Sequence, residues 1–81
     1  MSDTVPVRVP KVTMAAVDAT FLGWLVGDGT RVRELQPIYA IATDKVEVEV
    51  ESPAAGVLRH GEVETDADYP VGTQVGVIEA G

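Results

Sequence analysis

An all-β fold, seven or eight short strands in a sandwich or flattened barrel, is predicted here by three observations. Apolar residues alternate with polar ones in several short runs, the period of a half-buried strand. Clusters of Gly, Pro, Asp and Ser separate the runs. No window sustains the wide apolar stripe that a helix needs to pack.

Taken in order, Val5 to Val9 is the first run and Phe21 to Val26 the second, closed by the turn residues Gly27-Asp28-Gly29. Ile38 to Ala42 follows, then the turn Thr43-Asp44-Lys45. The clearest alternation comes next, in Val46-Glu47-Val48-Glu49-Val50-Glu51, with valines on one face and glutamates on the other. Ser52-Pro53 with Gly56 makes the next turn, Val57 to Leu58 the next strand, Asp66 through Pro70 another turn, and Val75 to Ile78 the last strand. A weak internal repeat runs through this series: Val32, Leu35, Ile38 and Ile41 are echoed 37 positions later by Tyr69, Gly72, Val75 and Ile78. It predicts two pseudo-equivalent lobes. The hairpin tip at Thr43-Asp44-Lys45 has no counterpart in the second copy, so whatever is particular to the protein is expected there.

With 81 residues the chain predicts one domain over 1–81, because domains usually run from about 50 to 250 residues. Hydrophobic residues are 46% of it but aromatic ones 5%, so the core must be built from Val, Ile, Leu and Ala. The formal charge of −7, from 13 acidic and 6 basic residues, repels phosphate backbones and anionic lipid surfaces. Nucleic acid and membrane are therefore not expected as partners. The absence of cysteine removes disulfides, thiolate ligands and redox pairs. No basic segment followed by an apolar run opens the chain, and no stretch approaches the ~20 apolar residues of a membrane span; a cytoplasmic location is the expectation.

Asp44 suits a turn because its carboxylate can accept a bond from a backbone N–H further along, leaving the next side chain pointing outward. Lys45 is then displayed at a tip. An exposed lysine carries a protonated amine with a pKa near ~10.4 on a four-carbon stem, a poor nucleophile by itself but a good point of covalent attachment.

The residues around it carry a resemblance. Ala42-Thr43-Asp44-Lys45-Val46, then Val48-Glu49-Val50 and Ser52-Pro53-Ala54-Ala55-Gly56-Val57-Leu58, resemble the lipoyl domain of 2-oxo acid dehydrogenase complexes. Upstream, Trp24-Leu25, Gly29, Val32 and Pro37-Ile38 fall at the family's spacings, with Gly29 16 residues before the lysine and Gly56 11 after it. Downstream, Pro70-Val71-Gly72 and Val77-Ile78-Glu79 also fit, so the resemblance runs from about Val7 to Glu79. The related biotinyl domains place methionine on both sides of the modified lysine. Here the neighbours are Asp44 and Val46, which favours lipoyl over biotin.

The resemblance implies a barrel-sandwich hybrid, a flattened β-barrel or sandwich of two four-stranded antiparallel sheets with pseudo-twofold symmetry. It also implies a function that is not catalytic in itself: lipoate, held through an amide on Lys45, accepts an acyl group from a thiamine diphosphate-dependent enzyme and passes it to an acceptor such as coenzyme A. Thiol–disulfide exchange with a flavin-dependent dihydrolipoyl dehydrogenase then restores the carrier. The implied partners are that dehydrogenase, the acyl-generating enzyme, an acyltransferase, and a lipoate ligase or lipoyl transferase. Thr43, Asp44, Val46, Gly29 and Gly56 are the supporting motif. The domain belongs either to a longer acyltransferase component or to a free-standing carrier in a specialised biosynthetic pathway. The end at Gly81 without an Ala/Pro-rich linker leans toward the latter. An unmodified interaction module that kept the fold is the rival.

Several positions depart from the family's pattern. Ala42 stands where Glu is usual, Glu47 where a small or β-branched residue is usual, and Leu35 where Gly is usual. Lys11-Val12-Thr13-Met14 lacks a common glycine, and Asp18-Ala19-Thr20 replaces a Glu-Gly-Thr type sequence in a surface loop that helps partners recognise the domain. Because φ > 0 strains a leucine, a different turn is expected at Leu35. Asp66 also stands where glycine is common, but Asp tolerates that conformation better.

Other candidates reduce to structural roles. His60, the lone histidine, has neither a second histidine nor a cysteine to complete a zinc site and is expected at a strand surface. Glu62, Glu64, Asp66 and Asp68 lack the EF-hand spacing and read as a solvated acidic face. Gly27-Asp28-Gly29 opens no helix and reads as a β-turn rather than a phosphate loop. Trp24 and Tyr39 are expected to pack in the core or at its rim.

Overall fold

The computed structural model describes residues 3–11, 17–43 and 46–80. Eight strands account for most of them: β1 (Asp3–Arg8), β2 (Asp18–Trp24), β3 (Arg31–Val32), β4 (Pro37–Thr43), β5 (Val46–Glu51), β6 (Gly56–His60), β7 (Ala67–Pro70) and β8 (Gln74–Ala80). They form two four-stranded sheets, ordered β1-β8-β6-β3 and β5-β4-β2-β7, every pairing antiparallel. The sheets face one another as a flattened sandwich; they do not close into a barrel.

Alternation along each strand decides which side meets the core. In β4, Tyr39 and Ile41 point inward while Ala40 and Ala42 point out; in β2, Ala19 and Phe21 point inward. Val7, Val32, Leu58, Val75 and Ile78 close the core from the other sheet. The few aromatics are gathered in one place: Phe21 stacks on Tyr39 with centroids 5.4 Å apart, and Trp24 meets Phe21 and Tyr39 edge-on at 5.3 and 5.4 Å. Tyr39 is fully buried and Trp24 half-buried, as expected of core and rim residues.

The internal repeat is real in three dimensions. β4 and β8 begin and end 37 positions apart, and each pairs with an edge strand in matching register, Thr43↔Val46 corresponding to Ala80↔Asp3. The turns repeat bond for bond. Gln36 N–H donates to Arg33 O and Thr73 N–H to Pro70 O, both at 3.1 Å, while Leu35 N–H donates to Ser52 O and Gly72 N–H to Val9 O, both at 2.9 Å. Likewise Gly29 N–H reaches Leu58 O and Asp66 N–H reaches Phe21 O, both at 2.7 Å.

That symmetry corrects the expectation for Leu35. Its φ is +71°, in the left-handed region, matching Gly72 at +94° in the equivalent turn. Both are third residues of a four-residue turn whose geometry calls for φ > 0 at that place. The bonds tying the turn to Ser52 override the residue's own preference. Asp66, at φ +67°, occupies the position equivalent to Gly29 at +82°, a conformation Asp tolerates.

Two short strands were not legible as such: β3 at Arg31–Val32, and β7, which lies in the stretch Asp66 to Pro70 read as a turn. Asp18-Ala19-Thr20, expected in a surface loop, instead opens β2. Residues 12–16, which include most of Lys11-Val12-Thr13-Met14, lie outside the described residues. Gly27-Asp28-Gly29 does form a β-turn, with Thr30 N–H donating to Gly27 O at 3.2 Å.

Candidate functional site

β4 and β5 form a hairpin in which Thr43 pairs with Val46, so two residues, Asp44 and Lys45, join the strands. Thr43 is thus the last residue of β4 rather than part of the tip. Asp44 and Lys45 themselves lie outside the described residues. The flanks are well defined. Thr43 is buried, and its hydroxyl donates to Asp18 O at 3.4 Å, which ties the end of β4 to the start of β2. Val46, paired with Thr43, is 45% exposed.

The alternation of β5 holds beyond that point. Val48 and Val50 pack against the core, while Glu47, Glu49 and Glu51 are exposed, directly opposite Ala42, Ala40 and Pro37 of β4. On the next strand Thr20 stands opposite Ala42, and its hydroxyl donates to the Asp68 carboxylate at 2.5 Å. The Thr20–Asp68 pair was not found from sequence, because its partners are 48 residues apart in the chain and only strand pairing brings them together.

The other motif residues are not at the hairpin. Gly56 opens β6 in the opposite sheet, where a Cβ would collide with the backbone carbonyl of Glu79; the glycine is there so that β6 and β8 can approach. Gly29 supplies the left-handed residue before β3. Both build the sandwich rather than the tip.

His60 is half-buried on β6. Its ring stacks on Trp24 with centroids 4.1 Å apart and planes 4° from parallel, and its Nε2 lies 2.8 Å from Val26 O. The Asp28 carboxylate accepts the His60 backbone N–H at 2.8 Å. These contacts brace β6 against the end of β2. Glu62, Glu64, Asp66 and Asp68 are all exposed. Burial pushes the Tyr39 hydroxyl up to about 12, and that hydroxyl donates to Arg8 O at 3.1 Å. Among the described residues no group of three or more His, Asp or Glu could hold a metal ion, and no helix is long and apolar enough to cross a membrane.

A sandwich of two four-stranded antiparallel sheets is also the fold found among similar proteins. The family model described as biotin-requiring enzyme, covering biotin and lipoyl attachment, matches residues 5–78, and the chain belongs to that family. It is 36% identical over 73 residues to the dihydrolipoyllysine-residue acetyltransferase component of the pyruvate dehydrogenase complex of Mycobacterium bovis, covering 90% of this chain and 13% of that protein. It is 34% identical over 74 residues to the corresponding component of the acetoin cleaving system of Cupriavidus necator, covering 91% of this chain and 20% of that one. The chain thus spans a fifth or less of the length of these relatives. Among solved structures it resembles the lipoyl domain of the 2-oxoglutarate dehydrogenase complex from Azotobacter vinelandii, with a TM-score of 0.74 and 27% identity over 95% of this chain and 99% of that one.

Proposed function

We propose that residues 1–81 form one lipoyl carrier domain, with lipoate attached through an amide to Lys45. The observation that carries this is the placement of Lys45 in the two-residue connection between Thr43 and Val46, in a chain related to dihydrolipoyllysine-residue acyltransferase components. The group fits what is described. A lysine on a short hairpin connection can be reached by an attaching enzyme and leaves a long arm free to move, and the flanks of β4 and β5 are pinned by Thr43 and by the valines of β5. Asp44 and Val46 in place of flanking methionines favour lipoate over biotin.

A lipoyl group supplies a dithiolane that takes up an acyl group with two electrons and gives both up again. The protein's own part is tethering, which raises the effective concentration of that group at each successive active site. The partners of this reading are a lipoate ligase or lipoyl transferase, a thiamine diphosphate-dependent acyl-generating enzyme, an acyltransferase and dihydrolipoyl dehydrogenase, all in the cytoplasm.

Intact mass after incubation with a lipoate–protein ligase, ATP and lipoic acid tests the attachment. The expected result is a gain of one lipoyl group that disappears in Lys45→Ala. No gain, under conditions that modify an established lipoyl domain, would overturn the reading in favour of an unmodified interaction module.

A further inference from the structure

The internal repeat gives the molecule two outer edges built on one backbone plan. β3 borders one sheet and β7 the other, and positions 31, 33 and 35 correspond to 68, 70 and 72. Positions that the fold itself requires carry like residues in both copies, as Ile38 and Val75 do in the core, and Ile41 and Ile78. The outward positions of the two edges do not match. One carries Arg31, Arg33 and Leu35, the other Asp68, Pro70 and Gly72, and all six are exposed. What stands at the β3 edge is therefore not imposed by the sandwich.

Arg31 and Arg33 are exposed on either side of buried Val32. Arg59 lies close by: Arg31 stands opposite Val57 on β6, and Arg59 Nη1 is 3.3 Å from where a Cβ on Gly29 would stand. Arg59 is paired with Glu79 at 3.0 Å, the one ion pair among the described residues, so Arg31 and Arg33 have no matching carboxylate there. Leu35 follows at φ +71°, 63% exposed. Gly72 shows that this turn closes without a side chain, so the leucine adds strain to the fold and little packing. Strained residues of this kind gather at ligand clamps and active sites, where the side chain serves a contact outside the chain's own core. Around it Arg33, Glu34, Leu35 and Gln36 line an open depression of about 440 Å3, in which Gln36 Oε1 accepts the Arg33 N–H at 2.9 Å.

We infer that this edge, formed by Arg31, Arg33 and Leu35, is a docking surface for a protein segment that presents an apolar side chain between carboxylates. The apolar side chain covers Leu35 in the depression, and the carboxylates pair with the two guanidinium groups, whose planar forks suit bidentate bonds. A phosphate backbone offers no apolar counterpart to Leu35. A polyanion or an anionic bilayer also meets exposed Glu34 in the same turn and the net charge of −7, whereas a short acidic segment meets the local charge alone. Pro37 to Thr43 spans six residue steps, about 20 Å at ~3.4 Å each, so the partner sits at the far end of β4 from the Lys45 connection and leaves that connection open. The surface holds the domain rather than acting on its lysine, and it does not depend on the carrier reading.

The test is a titration of the isotope-labelled full chain with a synthetic peptide carrying one leucine between two pairs of glutamates, read by backbone amide shifts at several salt concentrations. Shifts are expected at residues 31–36 and not at the equivalent residues 68–73, with affinity falling as salt rises. Leu35→Asn, which suits the same backbone conformation, is expected to weaken binding about tenfold at every salt concentration. Arg31→Gln/Arg33→Gln is expected to weaken it about tenfold at low salt and to flatten the salt dependence. Val17→Asn, a change at an exposed apolar residue outside the edge, is expected to bind as wild type. Absence of binding, shifts centred on residues 68–73, or wild-type affinity in Leu35→Asn overturns the docking surface, as does an equal loss in Val17→Asn. Shifts at residues 31–36 on concentrating the protein alone overturn it in favour of a second copy of the chain, and tighter binding to phosphatidylglycerol vesicles than to the peptide overturns it in favour of a membrane.

Discussion

Replacing Leu35 by Asn should stabilise the protein. A left-handed conformation costs an ordinary L-residue roughly 1–2 kcal/mol, a cost that Asn largely avoids. Leu35 sits there at φ +71° and is 63% exposed, so its packing returns little. With full burial of a leucine contributing about 1.5–3 kcal/mol, the buried third contributes roughly 0.5–1 kcal/mol. The substitution should therefore yield a net gain of about 0.5–1 kcal/mol, or about 2–8 °C in Tm for a domain of this size. Gly72→Leu makes the converse change in the equivalent turn. Nothing lies within 4 Å of a Cβ there, so only the backbone conformation at +94° counts, and the expected loss is about 1–2 kcal/mol. Thermal unfolding followed by circular dichroism reads both. A fall in Tm for Leu35→Asn would refute the reasoning, since it would mean that Leu35 packs for more than its strained backbone costs.

Gly76→Ala should be severe, because its Cβ would stand 2.5 Å from the Arg59 carbonyl oxygen and 3.1 Å from the Trp24 ring. Forcing β6 and β8 apart should cost about 2–3 kcal/mol, and an unchanged Tm would show that the two strands can separate freely. Tyr39 makes stability depend on alkaline pH. Its hydroxyl is raised from 10.0 to about 12, so the unfolded chain releases that proton first. Stability is then fully present below pH 10 and falls as pH rises toward 12, by up to about 2–3 kcal/mol. Tyr39→Phe should cost about 1 kcal/mol near neutrality through the lost bond to Arg8 O, yet flatten that alkaline decline. Urea titrations at about pH 8 and about pH 11 read the difference, and an equally steep decline in the variant would place its origin elsewhere.

The long strands were legible because their alternation is uninterrupted: β5 and β4 announce themselves in Val46 to Glu51 and Ile38 to Ala42. β3 has only two residues and β7 begins right after a left-handed Asp66, so neither has room for a pattern, and turn-forming residues dominate both stretches. Leu35 is the more instructive case. The repeat had already aligned it with Gly72, which implies a shared backbone conformation, while the residue type argued the opposite. Long-range bonds from the turn to Ser52 decided it, and no local propensity contains them. At the site, the spacing around Lys45 was visible in sequence. That Gly23 lies beside Ala40 was not, because only strand pairing brings the two together.

The matched registers Thr43↔Val46 and Ala80↔Asp3 give the sandwich two interchangeable closures. One is spanned by an Asp-Lys dipeptide, and the other is where the first and last strands meet. A circular permutant that joins Ala80 to Asp3 through Asp-Lys and opens the chain between Thr43 and Val46 would keep every strand pairing and move the lysine to the opposite sheet. There Thr4 and Pro6 would take the places of Glu47 and Glu49, and Glu79, paired with Arg59, the place of Ala42. The same lysine on the same scaffold, with its surroundings exchanged, separates what the hairpin contributes from what the neighbouring face contributes.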